Sequence, residues 1–304
     1  ATALQQEWSD LASEASEQNI FGFPSFVLPS LALLADLNAR ILTIRSRSSL
    51  IGIVTLRSDW GYAKLPVPFL RTAMHHEQYL GTPLVRTGHE REFANGLFQW
   101  LDSRPLNCCF LNLTVVSADG KIAAALAERA AEEKRQIIAV NGYARAAIFP
   151  GNRTNTEAEN LLSSSRRKSL RRARTKLEML GEMTIERLDD EPELQSWLSD
   201  FLAMENTGWK QESGSSLLSC EKETALYRQI VRNAFVKGDL VFTRLCIDEK
   251  PIAYTLDITA PPWGFCLESA IDQDYRKYSP GVMLEVETLK FHNSQNRLSL
   301  IDSC

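Results

Sequence analysis

Histidine is scarce in this chain, with four in 304 residues. Cysteine occurs six times, at Cys108, Cys109, Cys220, Cys246, Cys266 and Cys304, and no two of these form a Cys-x-x-Cys pair. So few soft ligands, at no metal spacing, argue against a zinc site or a disulfide frame. The thiols read as reduced, with Cys246 and Cys266 in apolar runs as small buried hydrophobes. No run of about 18 apolar residues is present, so no membrane-spanning helix is expected. The first residues form a polar amphipathic segment and not a signal peptide, which makes the cytoplasm the expected location. Positive charge is not in excess: 34 Lys and Arg stand against 38 Asp and Glu, for a net charge of -4. A global electrostatic grip on nucleic acid is therefore not expected, which leaves only local basic patches. The Gly-x-Ser-x-Gly elbow, the Walker loop and the Rossmann fingerprint are all missing.

What is present suits two domains of ordinary size, each able to bury a core, since 44% of residues are hydrophobic and 24% charged. Helices are expected over 4–18, 28–37, 90–101 and 121–134. A hairpin is expected from 41–44 and 50–56, and strands over 109–116 and 136–140. The stretch 58–90, rich in Pro, Gly and His, reads as strands joined by long loops. The polar run 152–160 follows Pro150-Gly151 and is the expected boundary, dividing the chain into 1–150 and 151–304. Beyond it a helix is expected over 193–205, a second hairpin over 240–247 and 251–258, a strand over 264–271, a helix from 280 to 292 and a strand over 297–302. The two hairpins look like a weak internal repeat. The last strand stops just before Cys304, so either the protein ends abruptly or a C-terminal piece is missing.

Three features of the second half carry chemistry. The first is Ser163-Ser164-Ser165 leading a basic helix. Leu170, Ala173, Leu177 and Leu180 fall on its apolar face. Arg167, Arg171 and Arg174 line one flank, and Lys168, Arg172 and Lys176 the far side. The functional reading is a phosphate or RNA contact. The bland one is a solvated face paired with Asp189, Asp190 and Glu191. The second feature is the loop Gly208 to Ser216 with Trp209-Lys210, either a substrate cover or a flexible connector; Glu205, at the end of the preceding helix, can face the same cleft. The third is Tyr275-Arg276-Lys277-Tyr278-Ser279-Pro280-Gly281. Serine at the N-cap, proline at the first helical position and a glycine beside it suit either a capped helix or a pyrophosphate on its free N–H groups, with Arg276 and Lys277 adding charge. Upstream, Glu268 and Asp272 are candidate proton acceptors, and Glu268 is equally an outward residue of an alternating strand. Asp257 is a weaker candidate, His75-His76 reads as surface, and His292 ends a helix.

The order of a Ser-capped Arg-Arg helix, a Gly-Trp-Lys loop, a strand hairpin and Tyr-x-x-Tyr-Ser-Pro-Gly resembles the GNAT-type domain of cellulose-biosynthesis (CelD/BcsL-like) acetyltransferases. The residues that carry it are Ser165, Arg167, Arg171, Arg172, Gly181, Trp209, Lys210, Gly214, Tyr275, Ser279, Pro280 and Gly281. It covers about residues 155 to 302, and residues 1–150 resemble the GNAT-like first half of such proteins. The resemblance implies an α/β (α+β) chain of two tandem GNAT-like domains, each a mixed, mostly antiparallel sheet flanked by helices. It implies transfer of an acetyl or other acyl group from acyl-CoA to an amine or hydroxyl, with a small molecule or saccharide as acceptor and no metal. Arg276, Tyr278, Ser279, Pro280 and Gly281 would then hold the donor. Glu268 or Asp272 would take the acceptor's proton, and Tyr275 or Tyr278 would protonate the departing thiolate. Backbone N–H groups of the strand before Tyr275 would polarise the thioester carbonyl. Arg167, Arg171, Trp209 and Lys210 would contact substrate. The same tandem plan is similar to Fem-type transferases, which implies aminoacyl-tRNA as an alternative donor. A third reading is a non-catalytic GNAT-like partner protein in an exopolysaccharide system.

Overall fold

The computed structural model describes residues 3–34, 38–103, 105–150 and 155–304, without the side chains of 155–157 and 209. The chain forms two compact units, Ala1–Ala144 and Arg145–Cys304. The run 151–154, and with it the start of the expected boundary, lies outside the described residues, as do 35–37 at the end of the expected second helix.

Unit one begins with α1 (Ala3–Ser13), whose Trp8, Leu11 and Ala12 are buried at helical spacing. Trp8 Nε1 donates to the Gly22 carbonyl at 3.0 Å, which satisfies the indole in the core. α2 (Pro24–Leu33) follows, entered at its proline. β1 (Arg40–Ser46) and β2 (Ser49–Tyr62) make the expected hairpin, and β2 turns back into β3 (Leu65–Thr72). β4 (Leu84–Val85) pairs with β2. α3 (Glu90–Asp102) lays Phe93, Ala94, Leu97 and Phe98 on the sheet. Gly52 lets it approach: a Cβ there would stand 2.2 Å from Phe93 Cδ2. β5 (Leu111–Asn112) pairs parallel to β3, and α4 (Lys121–Glu132) closes the unit. Buried Glu17 starts α4 by accepting the Ile122 N–H at 2.8 Å; burial pushes its carboxyl up, and that bond pulls the other way.

Two strand expectations fail here. Of 109–116 only Leu111–Asn112 is strand, and 136–140 forms none. Ile137, Ile138 and Val140 have strand propensity but remain exposed, at 57%, 75% and 63%, because a strand needs a sheet edge to pair with. His75 is not a surface residue. Its ring stacks on Phe26 at 5.6 Å and lies 3.0 Å from Ser30 Oγ, and burial, aided by His76, pushes its pKa down to about 4.

Unit two is a six-stranded sheet flanked by helices, in the order β6-β11-β10-β9-β8-β7. Its elements are β6 (Ala147–Ile148), α5 (Asn155–Asn160), α6 (Ser164–Glu178), β7 (Met183–Arg187), α7 (Glu191–Glu205), α8 (Trp209–Ser213), α9 (Glu221–Lys237), β8 (Leu240–Ile247), β9 (Lys250–Ala260), β10 (Trp263–Ile271), α10 (Pro280–Gln295) and β11 (Leu300–Asp302). Sequence reading passes over β7 and α9. α9 has a visible signal, the spacing of Leu226, Tyr227, Ile230, Val231 and Ala234, and it ends at Gly238 with a left-handed φ of 72°. One apolar cluster joins Phe201 and Trp197 of α7 to Phe242 and Tyr254. Another holds Leu177, Leu245, Ala253, Met283 and Leu284, with Leu170 and Ala173 of α6 packed against it. β10 and β11 run parallel, but only Trp263–Phe265 pair with Leu300–Asp302. β11 ends at Asp302, opposite Phe265, and beyond Phe265 β10 has only β9 as a paired neighbour among the described residues.

Candidate active site

The site grows from an irregularity in β10. Cys266 pairs with Asp257 and Glu268 pairs with Leu256, so Leu267 is an extra residue with no partner across β9. Side chains alternate along a regular strand, and a bulge reverses the alternation after it. Phe265 pairs with Ile258, so strict alternation from Phe265 would put Leu267 on the Leu256 face and Glu268 on the opposite one. The extra residue puts Glu268 on the Leu256 side instead.

There Glu268 meets Lys210, with Nζ 2.8 Å from Oε1. Lys210 Nζ is also 3.0 Å from Glu205 Oε1. Three elements thus supply one ion network: the last residue of α7, the short helix α8 and the bulge of β10. Glu205 is 1% exposed and Lys210 and Glu268 are 19% exposed each, so water screens these charges little. The second Glu205 oxygen accepts the Leu217 N–H at 3.0 Å, which satisfies the buried carboxylate. Burial works against the Lys210 charge, but Glu268 and then Glu205 outweigh it and hold its pKa above the ordinary lysine value. Lys210 is therefore a cation and not a base. Glu268 Oε1 also accepts the Ser269 N–H at 3.0 Å. Both bonds fall on one oxygen, and among the described residues Oε2 has no hydrogen-bond partner. α8 lies between two glycines of positive φ, Gly208 at 62° and Gly214 at 67°. Sequence reading expects a loop here; the structure shows a single helical turn. The Trp209 side chain lies outside the described set.

The other sequence-predicted residues fall elsewhere in unit two. Asp272 caps the 3₁₀ turn Gln273–Tyr278 by accepting the Asp274 N–H, and Lys250 Nζ lies 2.8 Å from its other oxygen. Tyr275 and Tyr278 pack against the cluster that holds Leu177 and Met283. The Lys250 ammonium sits 5.1 Å over the Tyr275 ring, and that of Lys277 5.1 Å over Tyr278. Arg276 and Lys277 lie in the last turn before α10. Ser279 occupies the N-cap position, but not as expected: its backbone is left-handed, at φ 54° and ψ 50°, and its side chain makes no capping bond. Pro280 has no N–H to give. The first amides of α10, Gly281 among them, are thus available to an outside acceptor. A Cβ on Gly281 would lie 3.1 Å from Ile271 Cγ2, a tight but yielding contact.

The basic helix is capped as expected, with Ser163 Oγ accepting the Arg166 N–H at 3.3 Å. Its acidic partners are not Asp189, Asp190 and Glu191. Arg171 pairs with Glu159 at 3.3 Å, and Arg174 with Glu178 and Glu287, both at 3.2 Å. Arg167 bonds Asn160. Lys168, Arg172 and Lys176 are exposed at a spacing of four, and none has an ion-pair partner among the described residues. Asp257 differs from its expectation. It is buried and 2.9 Å from His292 Nε2, which is buried as well. The cross-strand neighbour Cys266 has its thiol pushed well up, first by burial and then by Asp257, so it stays protonated. His292 lies in the last turn of α10, as expected, and is buried. No group that could hold a metal ion occurs among the described residues.

Comparison with known proteins shows what this chain is similar to. Residues 164–302, within unit two, match the model of the acetyltransferase (GNAT) domain family, and this stretch is similar to that family. No curated protein matches the sequence. Among solved structures, FemX is similar over 100% of this chain and 87% of its own, at 10% identity and a TM-score of 0.60. A conserved protein of unknown function from Bacteroides thetaiotaomicron matches over 99% and 87%, at 12% identity and a TM-score of 0.57. L-PGS from Bacillus licheniformis matches over 98% and 77%, at 13% identity and a TM-score of 0.52. At these identities the likeness is one of fold. The architecture is that expected from sequence: two units, each a mixed, mostly antiparallel sheet flanked by helices.

Proposed function

We propose that unit two transfers an acyl group from acyl-CoA, most simply acetyl-CoA, to an amine or hydroxyl. The observation that carries this reading is Glu268: a carboxylate turned by the bulge onto Lys210, with one oxygen held and the other open, on the part of β10 beyond its pairing with β11. Oε2 takes the acceptor's proton as its nitrogen or oxygen attacks the acyl carbonyl. Lys210 and the Ser269 N–H keep the carboxylate in place. Backbone N–H groups around Leu267 receive the charge that builds on the carbonyl oxygen. The attacking atom forms the new carbon bond, the carbon–sulfur bond breaks, and the thiolate leaves, with Tyr275 or Tyr278 as its proton source. Arg276, Tyr278, Ser279, Pro280 and Gly281 receive the donor's pyrophosphate at the uncapped start of α10. Arg167, Arg171 and Trp209 stay as substrate contacts in this reading. The acceptor is a small molecule or saccharide, and exopolysaccharide or cell-envelope chemistry is the setting that the CelD/BcsL-like resemblance implies.

Calorimetry with acetyl-CoA tests the donor. A single site is expected, lost in Gly281→Asp, where a new carboxylate faces the pyrophosphate; a thermal melt checks that the variant folds. No binding by the folded wild type would reject acyl-CoA.

A second reading has its own observation, the unpaired stripe Lys168, Arg172 and Lys176. It favours an aminoacyl-tRNA donor, as in the Fem-type resemblance. This reading predicts tRNA binding that weakens steeply with salt, with a shallower salt slope once the three residues are changed to glutamine. Salt-independent or undetectable tRNA binding rejects it.

A further inference from the structure

We propose that unit one binds a small amphipathic carboxylate in a cavity between its sheet and the end of α3. The cavity measures about 280 Å³. Arg40 pairs with Leu56 and Ser58 with Leu70, so these four side chains share one face of the sheet, along with Leu42 two residues beyond Arg40. Leu56 and Leu70 are each 2% exposed and make an apolar floor. Leu42 and Trp100, packed on the core of the unit, make the wall. Leu106 hangs over the space from a turn in which it and Asn107 both have φ of 56°. Two successive non-glycine residues in the left-handed region are costly, and such strain often marks a binding surface.

The polar side chains on the lining residues decide the ligand. Among the described residues they belong to Arg40 and Ser58, both exposed. Neither has a partner among the described residues. A carboxylate complements the pair: the guanidinium forks onto two oxygens, and the hydroxyl donates to one. The apolar remainder suits a hydrocarbon chain. The space has room for a short hydrocarbon chain, and a carboxylate of about eight carbons is the probe. An apolar cavity of this size gains from being filled by hydrocarbon. The site lies wholly in unit one and does not depend on the acyl-transfer reading of unit two.

Calorimetry with sodium octanoate, and with 1-octanol as the uncharged control, tests the proposal on the full chain. One saturable octanoate site is expected. Arg40→Gln, a change at an exposed position, should weaken octanoate about tenfold or more and leave octanol unchanged, because it removes only the charged contact. Ser58→Phe fills the mouth and should weaken both ligands. No saturable octanoate binding into the millimolar range would overturn the proposal. So would binding that neither variant alters, since the fatty acid would then sit elsewhere. A thermal melt of each variant separates lost binding from lost folding.

Discussion

Lys210 holds Glu268, and Glu205 holds Lys210, so the three residues respond to mutation as a chain. Glu268→Gln keeps the shape and removes the proton acceptor. Turnover should fall about 10²- to 10⁴-fold with the affinity for donor unchanged, as measured by steady-state kinetics and calorimetry. Lys210→Met should do more harm to stability. It leaves Glu205, 1% exposed, without its counter-charge, at a cost of about 3–5 kcal/mol in a denaturant titration. The double variant Glu205→Met/Lys210→Met removes both charges and should recover much of that loss. A double-variant loss equal to the sum of the losses in Glu205→Met and Lys210→Met would mean that the pair is not coupled. The residue types of this cluster are visible in the sequence, and Glu268 and Lys210 stand out there. Their pairing is not, because it depends on which way β10 faces.

At the scale of elements, the sequence is a good guide wherever a period is sustained. The apolar spacing of α3, α6 and α7 is legible, and so are both hairpins. Two things defeat it. Strand propensity is read as strand even without an edge to pair with, as in 136–140, where Ile138 is 75% exposed. Irregular pairing also leaves no mark on composition: Cys266-Leu267-Glu268 looks like any other stretch of alternating strand. The start of α10 shows a related miss. Ser-Pro-Gly announces a capped helix, yet the serine backbone is left-handed and its hydroxyl leaves the helix uncapped. Replacing Ser279 with alanine should therefore cost much less than the roughly 1 kcal/mol of a true cap, and glycine there should stabilise, since it adopts a φ of 54° without strain. Equilibrium unfolding of the two variants checks the sign.

For the whole molecule, two buried groups of unit one set opposing trends with pH. His75 is neutral in the fold and titrates near 4, against 6.5 in the unfolded chain. The unfolded state therefore binds more protons between these values, and stability falls as pH drops from 6.5 to 4, by at most about 3 kcal/mol. Glu17 works the other way. Its carboxyl pKa is raised in the fold, so acidification favours the folded protein through this group. His75→Asn should flatten the loss between pH 6.5 and 4 in a series of melts, and Glu17→Gln should stabilise the protein at neutral pH and lose that advantage in acid. An unchanged profile in His75→Asn would show that the ring is not the titrating group.

The surplus residue of β10 has a consequence that no substitution can probe. Most enzymes are dissected by changing what a residue is; here the length of a strand can be changed instead. Removing Leu267 would leave Glu268 opposite Leu256 directly after Cys266 opposite Asp257, so the carboxylate would keep its face and its reach to Lys210, and only the extra backbone amide beside it would be lost. The expected product is a folded protein, equal in acyl-donor affinity, in which turnover falls by what that amide contributes at the acyl carbonyl while the carboxylate stays in place.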